Sequence, residues 1–234
     1  MDKFWALKTS KKRKREESDQ GQLPDEAELG GVSFMDLLGG MGAGGADKDN
    51  IVKSENNHIY MYSEITRKTA YEVGNLIKTI ASDNMTIADR YDVEPSPIYL
   101  HINSYGGSVF AALAIIDSIK DCQKKVPVHT VVEGCAASAA TLIGCVGSKR
   151  YIKKHAHMLI HELRSGVWGK YSDLEEEMEN LKKLMDVIIS IYQEHTKLKG
   201  TKKLTNLLKK DSWWSAEECL KNQLVDSYWE DRYY

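Results

Sequence analysis

The sequence predicts an α/β fold in which helices cover a parallel sheet. Short runs rich in β-branched residues, such as 97–102 and 126–132, alternate with longer segments. Apolar residues in the longer segments recur at the three- and four-residue spacing of a helix. A β-α-β-α-β order of this kind is typical of parallel strands connected by helices. The chain has 234 residues, which is enough for one such domain and an appendage.

The elements between residues 57 and 161 each follow from an apolar pattern. Ile98, Leu100 and Ile102 alternate as in a strand, whereas Val73, Leu76, Ile77 and Ile80 form a helical stripe. The predicted strands are 58–62, 97–102, 126–132, 150–152 and 158–161. The predicted helices are 66–80, 108–120 and 138–146, and the polar segment 83–96 is predicted as a loop.

A long helix is predicted over 173–198. Its apolar stripe begins at Leu174 and Met178 and continues to Tyr192. A helix of about 26 residues is about 39 Å long, which exceeds what the core needs, so we expect it to project towards a neighbouring subunit. A short helix over 201–209, a helix over 215–222 and a final edge strand after Leu224–Asp226 complete the domain.

Residues 1–56 form a charged and glycine-rich extension that we expect to be disordered, and 57–234 form the folded domain. The extension holds the basic run Lys11–Arg15 and five glycines within Gly39–Gly45. Such a segment cannot bury enough apolar surface to offset its ordering entropy. The basic run is interpreted either as a solubilising tail or as a nuclear-targeting signal.

Composition excludes several classes of protein. The formal net charge is −2, so no nucleic-acid partner is expected. No apolar run is long enough for a membrane span, and the N-terminus lacks a signal-peptide core, which favours a cytoplasmic protein. The four cysteines have no paired spacing and are interpreted as reduced thiols. We expect no metal or other cofactor, and no ATP hydrolysis, since no Walker motif is present.

Ser138 is the strongest candidate for a catalytic residue. It lies in Glu133–Ala140, among glycine and alanine residues, where a predicted strand meets a predicted helix. Acyl transfer by serine also needs a base and an acid that orients the base. His161 ends an apolar strand and begins a loop, which suits a base, although a structural strand-end histidine has the same pattern. Asp211, taken alone, is most simply an N-cap or a turn residue.

Gly106 and Gly107 follow a strand and open a helix, where free backbone amides are concentrated. Amides in this position suit an oxyanion hole. They could instead bind a phosphate, but no lysine follows the glycines, so the phosphate motif is weak.

The motifs together resemble the ClpP family, the proteolytic subunits of Clp proteases, over about residues 58–229. The resemblance rests on Asn103–Val109, Gly134–Ser138, Met158–His161, Asp211, Ser215–Glu218 and Gln223–Asp226, which occur in the family's order. It implies a spiral of ββα units, the ClpP/crotonase-like fold. It also implies a serine endopeptidase in which Ser138 is the nucleophile, His161 the base and Asp211 the orienting acid, with Gly107 and Ala139 as oxyanion donors.

The resemblance further implies homo-oligomeric, heptameric rings with the long helix interleaved between them. A separate ring ATPase would feed unfolded proteins to the chamber. Tyr105, Cys135 and Glu162 replace residues usual in the family. Cys135 is expected to be a packing residue rather than a second nucleophile. Glu162 would either raise the pKa of the base, contact substrate or face solvent, and the last is favoured.

Other interpretations stay open. In one interpretation the chain is a specialised processing protease. In another it is a peptidase related to SppA, in which Lys153 or Lys154 forms a serine–lysine dyad with Ser138. It would alternatively be a catalytically silent ring subunit. The last alternative is an enoyl-CoA hydratase type of enzyme, which would have no need of His161 and Asp211.

Overall fold

The computed structural model describes residues 50–166 and 168–230. Within them, eight strands form one sheet, and six helices accompany it. The strands are β1 Ile51–Glu55, β2 His58–Tyr62, β3 Ile98–Ser104, β4 Val128–Ala137, β5 Arg150–Ile152, β6 His157–Ile160, β7 Ser212–Ser215 and β8 Ser227–Tyr228. The helices are α1 Arg67–Tyr91, α2 Val109–Cys122, α3 Ala139–Cys145, α4 Tyr171–His195, α5 Thr201–Leu208 and α6 Ala216–Lys221. The predicted α/β class is confirmed.

The centre of the sheet is parallel and its margins are antiparallel. The main order is β1-β2-β3-β4-β5-β8, and β6 pairs with the far end of β4 and with β7. Pairs β2–β3, β3–β4, β4–β5, β4–β6 and β5–β8 are parallel. Pairs β1–β2 and β6–β7 are antiparallel, so the sheet is mixed, and the predicted parallel arrangement is found at its centre.

Strand β1 lies inside the predicted extension. It forms a hairpin with β2 through Asn56, which adopts a left-handed conformation with φ 51°. Asparagine tolerates this conformation, and the turn aligns the two strands antiparallel. The predicted domain start at 57 therefore falls within a hairpin. Residues 1–49, which include Lys11–Arg15, lie outside the described residues.

Helix α1 runs through much of the predicted 83–96 loop. Its core-facing positions after Ile80 are Asn84 and Ala88, which are buried although neither is a large apolar residue. The Asn84 side chain donates a 2.7 Å hydrogen bond to the Ser96 carbonyl, so the polar group is satisfied. The helix ends at Tyr91 and is capped by Asp92, where φ is 52°. The loop prediction was wrong because a satisfied asparagine here occupies a core position.

The two faces of the sheet differ in chemistry. On one face, Ile59, Leu100 and Val132 are fully buried and belong to the core with residues of α1, α2 and α3. On the other face, strands β2 to β5 present histidine, tyrosine and glutamate side chains. Trp229 makes edge-to-face contacts with several of those rings.

Helix α4 is buried at only one end. Ile188, Ile189 and Tyr192 are buried, whereas Leu174 is 43 % exposed and Met178 is 55 % exposed. The predicted long helix is confirmed, with an apolar stripe that this single chain leaves uncovered in its first half. Within the described residues, no helix combines the length and the apolar character of a membrane span.

Candidate active site

The three predicted catalytic residues lie at the ends of three adjoining strands. In the β4–β6 ladder Ala137 faces Leu159, so Ser138 follows beside Ile160. In the β6–β7 ladder Ile160 faces Ser212, so the next pair outward is His161 and Asp211. Neighbouring strands lie about 4.8 Å apart. The sheet register alone therefore brings residues from three distant parts of the chain to one edge.

Ser138 occupies a strained turn between β4 and α3. Its φ is 54° and its ψ is −127°, a conformation that costs free energy for a residue with a side chain. The backbone is fixed on both sides, since the Ser138 N–H donates to the Leu159 carbonyl at 2.9 Å. Both the amide and the hydroxyl of Thr141 donate to the Ser138 carbonyl, at 3.0 and 2.6 Å. A sharp strand-to-helix turn of this kind presents a nucleophile at a helix start.

The small residues before Ser138 are explained by Gly106. A Cβ atom at Gly106 would lie 2.7 Å from the Ala137 carbonyl and 2.8 Å from the Ser138 Cβ. Gly106 also has φ 102°, which a larger residue rarely adopts. Two backbones thus touch directly beside the serine, and only glycine fits at position 106.

The predicted oxyanion donors, Gly107 and Ala139, each follow one of the two segments that touch at Gly106 and Ser138. Gly107 forms an isolated parallel bridge with Ile65, and its two neighbours make the hydrogen bonds. The Ile65 N–H donates to the Gly106 carbonyl, and the Ser108 N–H donates to the Ile65 carbonyl. The Gly107 N–H takes no part in that bridge and points away from Ile65. Ala139 begins α3, where N–H groups have no partner within the helix. The Ala139 nitrogen would lie 3.3 Å from a Cβ at Gly106, so the start of α3 lies beside the Gly106–Gly107 turn.

His161 and Asp211 are close but are not hydrogen-bonded. His161 Nδ1 lies 3.9 Å from Asp211 Oδ1, and this buried nitrogen has no hydrogen-bond partner in the described part of the chain. The other oxygen of Asp211 pairs with the guanidinium of Arg164. Within the described residues, no hydrogen bond joins Ser138 to His161 either. Arg164 was not singled out from the sequence, because nothing local links it to a residue 47 positions away.

Burial lowers the pKa of the His161 imidazole below its ordinary value. The Asp211 carboxylate acts in the opposite direction, and the Arg164 guanidinium lowers the pKa further. Glu162 is exposed, as the favoured interpretation expected. Its backbone and its charge both raise the pKa of His161, but burial outweighs them. The net effect favours the neutral imidazole, which is the form that accepts a proton.

Cys135 contacts residues at the end of β3 and in the turn that follows it. Its Sγ is 3.7 Å from the Asn103 side chain, and it also contacts Tyr105. Burial raises the pKa of the Cys135 thiol, although the Tyr105 contact partly offsets this. A thiol that stays protonated is a poor nucleophile, which agrees with the predicted packing role.

Sequence reasoning missed a polar network around the buried Glu133, on the face of the sheet opposite Ile59 and Leu100. Glu133 accepts from Tyr62, from His101 at 2.9 Å and from Lys153 at 3.1 Å. His101 in turn bonds His58 at 2.8 Å. Glu133 begins the irregular part of β4, where Ile102 pairs with Val132 but Ser104 pairs with Ala136. The only signal in the sequence was the polar residues in otherwise apolar strands.

Within residues 50–166 and 168–230, no group of three acidic, histidine or cysteine side chains is placed to hold a metal ion. The geometry at the edge of the sheet is instead that of a serine, a histidine and a carboxylate beside paired backbone amides. Serine acyl transfer uses these residue types, joined by hydrogen bonds that the described residues do not make here.

Comparison with known proteins agrees with this geometry. The model of the Clp protease family matches residues 49–232. The chain belongs to the Clp protease family. It is 30 % identical over 172 residues to an ATP-dependent Clp protease proteolytic subunit of Deinococcus radiodurans, covering 71 % of this chain and 82 % of that protein. It is also 30 % identical over 172 residues to the ATP-dependent Clp protease proteolytic subunit 1 of Rhodopirellula baltica, covering 74 % and 71 %.

The predicted family is therefore confirmed, and with it the predicted class of enzyme. The chain is a ClpP-like serine peptidase, a hydrolase. The roles of individual side chains rest on the geometry described above.

Proposed function

We propose that this ClpP-like subunit hydrolyses peptide bonds of unfolded proteins through Ser138, His161 and Asp211. The observation that carries the proposal is the convergence of these residues at the ends of β4, β6 and β7. Backbone hydrogen bonds of the sheet, rather than side-chain contacts, create this convergence. It is therefore a property of the fold.

In the proposed reaction, Ser138 Oγ attacks the carbonyl carbon of the peptide while His161 Nε2 takes the hydroxyl proton. The negative charge on the former carbonyl oxygen is stabilised by the amides of Gly107 and Ala139. His161 passes the proton to the leaving amine, which gives an acyl-enzyme. A water molecule, deprotonated by His161, then attacks the acyl carbon, and His161 returns the proton to Ser138 Oγ as the acyl product leaves. Asp211 stabilises the imidazolium that forms in each step.

A fluorophosphonate probe tests the nucleophile directly, since it reacts only with an activated serine. We expect the Ser138→Ala variant to lose labelling. Ser82→Ala, at an exposed position of α1, is the matched control and should label like the wild type. Labelling of the Ser138→Ala variant at the wild-type rate would refute the assignment.

We infer that the active particle is an oligomeric chamber of heptameric rings, fed by a separate ring ATPase. Support for assembly comes from α4, whose exposed Leu174 and Met178 lack an apolar partner within the described chain. The relatives from Deinococcus radiodurans and Rhodopirellula baltica are proteolytic subunits of ATP-dependent Clp proteases. Light scattering on the purified protein measures the subunit number, and peptide and unfolded-protein substrates with and without a Clp ATPase test the feeding step. A monomer that degrades folded proteins unaided would contradict the inference.

The extension is proposed to lie outside the peptidase domain and to end before Ile51 rather than at the predicted division of 1–56 and 57–234, because β1 belongs to the sheet. The intact mass of the purified protein would show whether self-cleavage removes part of it. An intact chain would support a docking or targeting role instead.

A catalytically silent ring subunit is the second candidate, and one observation favours it. His161 Nδ1 and Asp211 are 3.9 Å apart rather than hydrogen-bonded. This candidate predicts no fluorophosphonate labelling and no peptide hydrolysis by the pure protein, whereas a processing protease would label but cleave few substrates.

A further inference from the structure

The loop that follows β6 carries a cation into the candidate active site. This cation is Arg164, three residues after His161, and its guanidinium pairs with Asp211 Oδ2. The loop is held against α4, because the Leu163 N–H lies 3.4 Å from Met185 Sδ and Ser165 Oγ lies 3.4 Å from Glu177. Arg164 is therefore held near Asp211 by the path of the backbone.

The pairing with Arg164 coincides with an unsatisfied group next to it. His161 Nδ1 is buried and has no hydrogen-bond partner within the described residues, while Asp211 Oδ1 is 3.9 Å away. That distance is too long for a hydrogen bond. A buried ring nitrogen without a partner is unfavourable, so the site has a driving force to bring Asp211 closer.

Arg164 and His161 compete for the carboxylate of Asp211, and water and salt screen the two pairs to different extents. The side chains of Arg164 and Asp211 are 56 % and 51 % exposed, so their ion pair is screened by water and salt. His161 is 11 % exposed, and a bond from its ring to the same carboxylate would be shielded. A small movement of Asp211 would exchange one partner for the other.

We propose that Arg164 is a positioning residue that withholds Asp211 from His161, so that the described arrangement is a resting state of the site. Release of Arg164 lets Asp211 bond His161 Nδ1 and orient the base. This inference rests on the proposed function of Ser138, His161 and Asp211. It assigns Arg164 no contact with the reacting atoms.

The charged groups that face His161 are Asp211 on the strand-β7 side and Arg164 and Glu162 in its own loop. Loss of the Arg164 charge removes a group that favours the neutral ring. The carboxylate of Asp211, once bonded to His161, favours the protonated ring. Both changes should move the pH midpoint of His161 upwards.

The test uses the full-length protein with Arg164→Gln, Arg164→Lys and the control Arg90→Gln, an exposed arginine at the end of α1. The rate of fluorophosphonate labelling is measured against pH and salt. We expect Arg164→Gln to label roughly tenfold faster at neutral pH, since an oriented base contributes at least this much. Its pH midpoint should be higher than that of the wild type. Arg164→Lys should fall between the two, and the control should match the wild type.

Added salt should speed the wild type more than Arg164→Gln, since it weakens only the exposed pair. An Arg164→Gln variant with an unchanged labelling rate and pH midpoint, or with a slower rate, would overturn the proposed role of Arg164. The proposed function would still stand in that case, provided that labelling depends on Ser138. Absence of labelling in every variant would refute the proposed function itself, and with it this inference. Circular dichroism confirms that the exposed substitution leaves the fold unchanged.

Discussion

Replacement of Glu133 by glutamine should destabilise the protein by an amount that depends on pH. The carboxyl group is 11 % exposed and accepts from Tyr62, His101 and Lys153. Glutamine has nearly the same shape but no charge. It therefore keeps the packing and removes the charge-assisted part of these hydrogen bonds.

The magnitude follows from the pKa of this carboxyl group. Burial by itself raises it, but the bonds from His101 and Tyr62 and the nearby Lys153 lower the pKa of Glu133 from 4.5 to about 2. At about 1.4 kcal/mol for each pH unit, this corresponds to about 3 kcal/mol of folding free energy at neutral pH. Because the folded pKa is the lower one, this contribution is complete above pH 4.5 and is lost as the pH falls towards 2. Near pH 3, about 1.4 kcal/mol should remain.

Chemical denaturation of wild type and Glu133→Gln, at one protein concentration and several pH values, measures this difference. Glu94→Gln, an exposed carboxyl in the loop before β3, is the matched control and should change the unfolding free energy by less than about 0.5 kcal/mol. A loss below about 1 kcal/mol at pH 7, or a loss that is the same at pH 7 and pH 3, would refute the reasoning. Either result would mean that the network does not stabilise the ionised carboxylate.

Three further changes have distinct expected results. Gly106→Ala forces a Cβ to within 2.7 Å of the Ala137 carbonyl, so fluorophosphonate labelling should fall by more than about tenfold while the circular dichroism spectrum is unchanged. Labelling at the wild-type rate would contradict the close approach of the two backbones. Tyr192→Phe removes the buried hydroxyl that bonds Thr141 at 2.5 Å and should cost about 1 kcal/mol in denaturation, with a stabilised variant as the contrary outcome. Met178→Lys, at a position 55 % exposed in the single chain, should shift the particle to lower mass in light scattering; an unchanged mass would exclude this part of α4 from the subunit contact.

The serine and its surroundings were predictable because their signals are local. A serine among alanine and glycine residues, a histidine at a strand end and a glycine pair before a helix are each visible within a few residues. The order of these motifs then identified the family, which the comparisons confirm. The long helix was also predictable, since its stripe repeats over many turns.

The parts of the fold that the sequence did not predict depend on contacts between residues far apart in the chain. The extended α1 needed the bond from Asn84 to Ser96, and the hairpin of β1 had no alternating apolar pattern to reveal it. Neither can be inferred from a window of neighbouring residues, because the deciding partner lies outside that window.

The sequence by itself determined the α/β class, the family and the three side chains at the candidate site, because periodicity and small-residue motifs are written along the chain. Only the tertiary structure decided which groups those side chains meet. Sheet register, which pairs residues far apart in sequence, placed His161 opposite Asp211 and brought the loop with Arg164 to the same carboxylate. It also gathered His101, Lys153 and Glu133 into one buried network.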